Sequence, residues 1–211
     1  MKAEISKRAE IQKESKIPIM ESFNSLQGEG VHCGKPAYFI RTAGCDVGCH
    51  WCDVKESWSP DFPCIDTVKL SRLAMDSKAK IVIVTGGEPL TYNLNELTQN
   101  LKNKGLRTHL ETSGVYEITG NWDWICLSPK KLRKPHTKIW SVADELKIII
   151  YNKSDLNWAE AQALKVNNSC KLYLQPEWSR HNEMLPPIIE YVKNNPGWNI
   201  SLQIHKFMDI P

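Results

Sequence analysis

Two uninterrupted apolar runs, Ile81-Val82-Ile83-Val84 and Ile148-Ile149-Ile150, constrain the fold of this chain more than any other feature. Each is short, β-branched and free of polar alternation, which is the pattern of a strand covered on both faces. Parallel sheets clothed by helices bury their strands in that way. The rest of the chain agrees. Strands are expected at 17–24, 37–42, 81–85, 106–111, 122–127, 145–151, 171–175 and 198–205. Helices are expected between them at 65–77, 94–104, 156–166 and 183–194. Asp66 or Thr67 and the pair Ser154-Asp155 are candidate caps, Gly105 a stop, and Pro186-Pro187 suits only a first turn. Parallel strands need crossover connections, and helices supply them. The fold class is therefore α/β, a partial (open) TIM-like barrel of about six parallel strands with helices outside. A complete eightfold barrel takes about 250 residues, and this chain has 211. One domain is expected over residues 17–211, preceded by an N-terminal extension at 1–16.

Such folds place ligands at the carboxyl ends of their strands. Directly after the strand Ala37–Arg41 comes Cys45-Asp46-Val47-Gly48-Cys49-His50-Trp51-Cys52. A loop this tight can wrap three thiolates around one face of a 4Fe–4S cluster. Such a cluster normally takes four cysteines, so three leave one iron open to another ligand. The other reading is a zinc site completed by His50 or a distant fourth ligand. Closed zinc sites usually bring ligand pairs from two segments, whereas Cys33, Cys64, Cys126 and Cys170 stand singly and read as small residues in or near the core.

The cysteine count is odd, at seven, and the opening residues are charged rather than apolar. Metal or redox chemistry is thus favoured over a disulfide framework, and a cytoplasmic location is expected. No apolar stretch approaches a membrane span of roughly 18 residues, so no membrane partner is expected. A formal net charge of +3 gives no reason to expect a nucleic-acid partner. The basic run Lys130–Lys134 reads as a solvated loop.

The buried run at 81–84 ends in Thr85-Gly86-Gly87-Glu88-Pro89, where bare backbone and a carboxylate can meet a ligand ammonium. Glu111-Thr112-Ser113-Gly114, Ser128-Pro129-Lys130 and Gln175-Pro176-Glu177-Trp178 likewise follow expected strands with polar groups. Each alone is a plain turn at least as often as a site. Converging on one rim, four such ends suit a binding site.

At these residues the chain resembles the radical S-adenosylmethionine superfamily, through Cys45, Cys49, Cys52 and the Gly86-Gly87-Glu88-Pro89 turn. Within it the chain resembles the 7-carboxy-7-deazaguanine synthases. The residues that carry this are Glu21–Gly30 with Leu26-Gln27-Gly28-Glu29-Gly30, then Pro36–Arg41, Glu111–Gly114, Ser128–Lys130, and an end at proline soon after His205-Lys206. The resemblance implies a lyase of queuosine biosynthesis. Its reduced cluster would cleave S-adenosylmethionine to a 5′-deoxyadenosyl radical, and a carboxylated tetrahydropterin would contract to 7-carboxy-7-deazaguanine with loss of ammonia. It implies that Leu26, Gln27, Gly28, Arg41, Thr112 and the Pro211 carboxylate hold the pterin. It further implies that Gly86, Gly87, Glu88, Gly114, Ser128, Pro129, Lys130, Gln175, Pro176, Glu177 and Trp178 line the S-adenosylmethionine. An electron donor such as a flavodoxin and a homodimer belong to the same expectation. Magnesium stays open: the family's ligating threonine is replaced by Val54, which offers no oxygen. The rival readings are a glycyl-radical activating enzyme, whose substrate is a protein, and a zinc-stabilised binding module without catalysis.

Overall fold

The computed structural model describes residues 15–211, and the N-terminal extension expected at 1–16 lies mostly outside them. The strands are β1 (Lys16–Leu26), β2 (Pro36–Thr42), β3 (Cys64–Asp66), β4 (Ile81–Gly86), β5 (Arg107–Thr112), β6 (Trp124–Leu127), β7 (Glu145–Ile150), β8 (Lys171–Pro176) and β9 (Trp198–Ile200). They form one sheet in the order β3-β1-β2-β4-β5-β6-β7-β8-β9. β1 runs antiparallel to β2 and β3. From β2 through β4 to β9 every pairing is parallel, which makes seven parallel strands against the six or so expected. No pairing joins β3 to β9 among the described residues, so the barrel is open.

The helices are α1 (Thr67–Asp76), α2 (Asn95–Lys102), α3 (Asp155–Ala163), α4 (His181–Asn194) and α5 (Ile204–Met208). Asp66 caps α1 by accepting from the backbone N–H groups of Val68 at 2.8 Å and Lys69 at 3.2 Å, so it fills the cap and Thr67 does not. The expected cap of α3 differs. Ser154 makes no capping bond, and Asp155 turns back to accept from Tyr151 and Asn152 while pairing with Lys131. Pro186 and Pro187 stand in the second turn of α4, not its first. The ladder bonds they cannot make are tolerated because Met184 and Ile188 are buried on the helix's inner side. The strand expected at 198–205 stops at Ile200. The next position on β8 that would extend its ladder is Pro176, which has no N–H to give. The chain turns inward there and becomes α5.

Strand residues alternate between two environments. Tyr38, Ile40, Val82, Val84, Leu110, Leu127, Leu146, Ile148, Ile150 and Leu174 join the main apolar core beneath the helices. The intervening positions face the lumen, where Ala37, Phe39, Ile81 and Ile83 form a small second cluster. Above and beside it the lumen positions turn polar: Arg41, Thr85, Glu111, Lys147 and Gln175 line one cavity. The sheet thus keeps its apolar face outward under helices and its polar face inward, around a space that ligands can reach.

Candidate functional site

That cavity, of about 350 Å³, opens at the carboxyl ends of the parallel strands. The close approach of β4 to β2 sets its upper wall. Gly86 has φ +132°, and a side chain there would strike the backbone of Thr42. Cys45, Cys49 and Cys52 stand on one wall, all with free thiols. Alternate loop positions face in and out: Val47 and Cys49 are buried, while Asp46, Gly48 and His50 are exposed. His50 turns away from the cavity and sits edge-on to Tyr151, 5.1 Å between ring centroids.

The donor set fits an iron–sulfur cluster. Burial pushes the Cys45 and Cys49 thiols up, and neighbouring sulfurs add to it, Cys49 and Cys52 acting on Cys45 and Cys52 on Cys49. Cys45 and Cys49 therefore ionise together only against compensating positive charge, which iron supplies. Among the described residues no three Cys, His, Asp or Glu side chains converge closely enough for a single metal ion. A cubane takes its thiolates on separate irons, so it does not need that convergence. The four remaining cysteines divide: Cys126 and Cys170 are buried, but Cys33 and Cys64 are exposed and not in the core.

Leu26, Gln27, Gly28, Arg41, Thr112 and Pro211 all line the same cavity as the thiols. Gly28 lies against the His205 ring, which leaves no room for a side chain. Arg41 gives Nε–H to Glu21 at 2.6 Å and so holds its fork at the cavity edge. Gln27 donates to Glu111 at 2.8 Å and accepts from the Glu29 N–H at 3.0 Å. Ser25 Oγ donates to the Pro211 oxygen at 2.7 Å, tying the end of α5's segment to β1.

Of the second predicted group, Gly86, Gly87, Glu88, Ser128, Lys130, Gln175, Pro176, Glu177 and Trp178 line the cavity. Gly114 and Pro129 do not. Gly114 donates its N–H to Thr112 Oγ1 and packs over Leu127 and Ile139. Glu88 is 1% exposed and its carboxylate is fully occupied. It accepts from Leu90 N–H, Thr112 Oγ1, Ser113 N–H and Ser113 Oγ, stapling the end of β4 to the end of β5. Glu177 similarly accepts from the Ser179 N–H and hydroxyl at the turn after β8. The basic run is not simply solvated. Lys130 reaches into the cavity over the Trp51 ring at 5.3 Å and donates to Ser128 Oγ. Burial holds its pKa below the usual lysine value. Arg133 pairs with Asp46 on the cysteine loop at 2.5 Å.

Several cavity residues escape the sequence reading. Glu29 and Lys147 form a buried ion pair on the floor, and Gln175 Nε2 donates to Glu29 at 3.1 Å. Burial alone would lower the Lys147 pKa, but Glu29 and Glu111 outweigh it and raise it well above the ordinary value. Asp53, next to Cys52, accepts from Lys206 Nζ at 2.7 Å and Gln203 Nε2 at 3.2 Å. Against the opposing effect of burial, these partners hold its carboxyl below the usual range. Lys147 could have been found by parity: Glu145, Lys147 and Ile149 occupy every second place on one strand, so one polar position implies the next. The Asp53–Lys206 contact joins residues 153 positions apart and leaves no local signal.

Residues 39–126 match the family model of the radical SAM superfamily. A 7-carboxy-7-deazaguanine synthase of Flavobacterium psychrophilum is 54% identical over 202 residues, covering 95% of this chain and 96% of that protein. One from Synechocystis is 47% identical over 194 residues, covering 92% and 93%. Among solved structures, the crystal structure of QueE from Escherichia coli superposes with a TM-score of 0.81 at 27% identity, covering 92% of this chain and 97% of that one. No helix among the described residues is long and apolar enough to cross a membrane.

Proposed function

This chain belongs to the 7-carboxy-7-deazaguanine synthase family of the radical SAM superfamily, and on that premise we propose that it contracts 6-carboxy-5,6,7,8-tetrahydropterin to 7-carboxy-7-deazaguanine with loss of ammonia, as a carbon–nitrogen lyase of queuosine biosynthesis. One observation carries the reading: the three thiols and Gln27, Arg41 and Thr112 line a single cavity.

In this reading Cys45, Cys49 and Cys52 hold a 4Fe–4S cluster, and the cluster with S-adenosylmethionine supplies the one-electron chemistry. Gly86 and Gly87 offer backbone to the S-adenosylmethionine, with Ser128, Lys130, Gln175 and Trp178 beside them. Glu88 acts through its staple to Thr112 and Ser113 and not as a direct ligand, because its oxygens are already taken. Gly114 and Pro129 shape the turns beneath those contacts. The terminal nitrogens of Arg41 take the substrate carboxylate. Gln27 and Thr112 meet the ring, and the Pro211 carboxylate closes the site. The Glu29–Lys147 pair gives the floor fixed charge without a loose counterion.

Magnesium does not fit the residues at hand. The Val54 side chain has no oxygen, its carbonyl accepts from Ser57 N–H at 3.1 Å and Ser57 Oγ at 2.6 Å, and the Asp53 carboxylate is engaged by Lys206 and Gln203. No step is assigned to it. A cytoplasmic location, a homodimer and an electron donor such as a flavodoxin complete the proposal; the donor would reduce the cluster before it acts, since loss of ammonia from the pterin to give the product is itself redox-neutral. The test is anaerobic incubation of reconstituted protein with the pterin, S-adenosylmethionine and dithionite. Formation of 7-carboxy-7-deazaguanine with one equivalent of ammonia is expected. Cleavage of S-adenosylmethionine with the pterin untouched would overturn the assignment.

A further inference from the structure

Beneath the main cavity the lumen holds a second, smaller hole of about 10 Å³, room for one occupant the size of a water molecule. Gln27, Glu29 and Glu111 line both spaces and form the partition between them. The far side is made by His32, His109 and Glu145, with Trp124 packed against both rings at centroid distances of 4.7 and 6.4 Å. The two imidazoles lie 4.5 Å apart, centroid to centroid. Each has a buried Nε2 with no hydrogen-bond partner, and His109 is only 3% exposed.

The wall is rich in acceptors and poor in donors. Burial, reinforced by His32 and Arg107, pushes the His109 pKa down to about 3, so the ring is neutral and one nitrogen can only accept. With the imidazole protons on Nδ1, the tautomer that leaves both Nε2 atoms as acceptors, the wall's remaining donors are directed at its carboxylates. Trp124 Nε1 and Cys126 Sγ give to Glu145, and Gln27 Nε2 gives to Glu111. Lys147 pairs with Glu29, and among the described residues no ion pair joins Glu111 or Glu145. A water would bring two donors but also two lone pairs that this wall does not serve. Ammonium has the same size, four N–H donors, no acceptor and a positive charge.

We propose that this hole is a binding site for one ammonium ion, with both imidazoles as the Nδ1–H tautomer so that His32 Nε2 and His109 Nε2 accept from it together with the surrounding carboxylates. Resting on the ring-contraction reading, its natural occupant is the nitrogen that the pterin loses in the adjoining cavity. That nitrogen leaves as ammonia and takes a proton from water, and a shift of the Gln27–Glu111 partition admits it.

The experiment measures binding without turnover, so its outcome is separate from that of the pterin assay. Anaerobically reconstituted protein is titrated with [15N]ammonium chloride at constant total chloride, with sodium and methylammonium chloride as controls. A saturable, slowly exchanging ammonium resonance is expected, with a rise in Tm that methylammonium, too large for the hole, does not give. Glu145→Gln, which keeps the shape and removes the charge, should weaken binding at least tenfold. His109→Phe should abolish the resonance. No bound resonance at saturating ammonium, or an equal Tm rise from methylammonium, would overturn the proposal. So would a crystal grown in ammonium whose hole holds only a water with donors of the wall turned toward it.

Discussion

At Arg41 a single side chain divides its fork between a fixed partner and the cavity. Glu21 takes Nε at 2.6 Å, on a side chain 20% exposed, which pins the guanidinium plane. A lysine can keep the charge but not both the pin and a bidentate contact. Arg41→Lys should lower kcat/KM for the pterin about 10- to 150-fold, the equivalent of one charged hydrogen bond at about 1.5–3 kcal/mol. Cleavage of S-adenosylmethionine in the absence of pterin should be spared. Equal losses in the two assays would mean that Arg41 only braces β1 against β2. His109 makes a different kind of residue-scale prediction. Its folded pKa of about 3 lies below its ordinary value of 6.5. Between those two pH values the unfolded chain binds a proton that the native chain refuses, so stability rises with pH across that window. The contribution is complete above pH 6.5 and is lost as the pH falls toward 3, with a slope of at most about 1.4 kcal/mol per pH unit. His32, whose pKa burial also lowers, adds in the same direction. Urea unfolding at pH 7 and pH 5 should show a smaller difference for His109→Leu than for the unmodified chain. Identical differences would assign the acid response to other groups.

Among the elements, α1 depends most visibly on one residue. Asp66 ends the edge strand β3 and caps the helix that follows, so one carboxylate serves two structures. Asp66→Ala should cost about 1 kcal/mol, within the 0.5–2 kcal/mol range of lost caps, and lower the urea midpoint without changing the slope. A change in slope would show that the β3–β1 edge had come apart as well. This cap was legible because it depends only on neighbours in sequence. The cap expected for α3 was not, because Lys131, 24 residues away, draws Asp155 out of that role. In β7 the run of isoleucines suggested a strand buried alike on both sides. The observed strand is asymmetric, with Leu146, Ile148 and Ile150 under the helices and Lys147 and Ile149 toward the cavity.

Across the whole molecule, the segment after β9 is sewn to distant parts of the site. Lys206 and Gln203 hold Asp53 beside Cys52, the Ile204 N–H donates to the Gly28 carbonyl at 3.0 Å, and Ser25 holds Pro211. The thiol wall and the substrate wall are therefore positioned by the same stretch of chain. A Gly-Ser extension after Pro211 would move the carboxylate away from the cavity without touching the core. It should raise KM for the pterin while leaving iron content and S-adenosylmethionine binding unchanged. Unaltered pterin kinetics would show that Pro211 has no part in binding.

What the amino-acid sequence determined by itself was whatever short spans of chain can decide. The strand–helix alternation, the Asp66 cap and the spacing of Cys45, Cys49 and Cys52 within eight residues all rest on local geometry. The polar turns after β4, β5, β6 and β8 were legible for the same reason, since glycine, proline and short polar residues clustered after an apolar run are the chemistry of turns. Tertiary structure alone decided which of those turns face the cavity and which brace it. Glu88 became a staple because β5 lies in register beside β4 and brings Thr112 and Ser113 to its oxygens. Glu29 met Lys147, Asp53 met Lys206, and His32 met His109 only once the barrel had curved. Partners across a lumen are chosen by strand order, register and curvature, and those belong to the packed sheet as a whole.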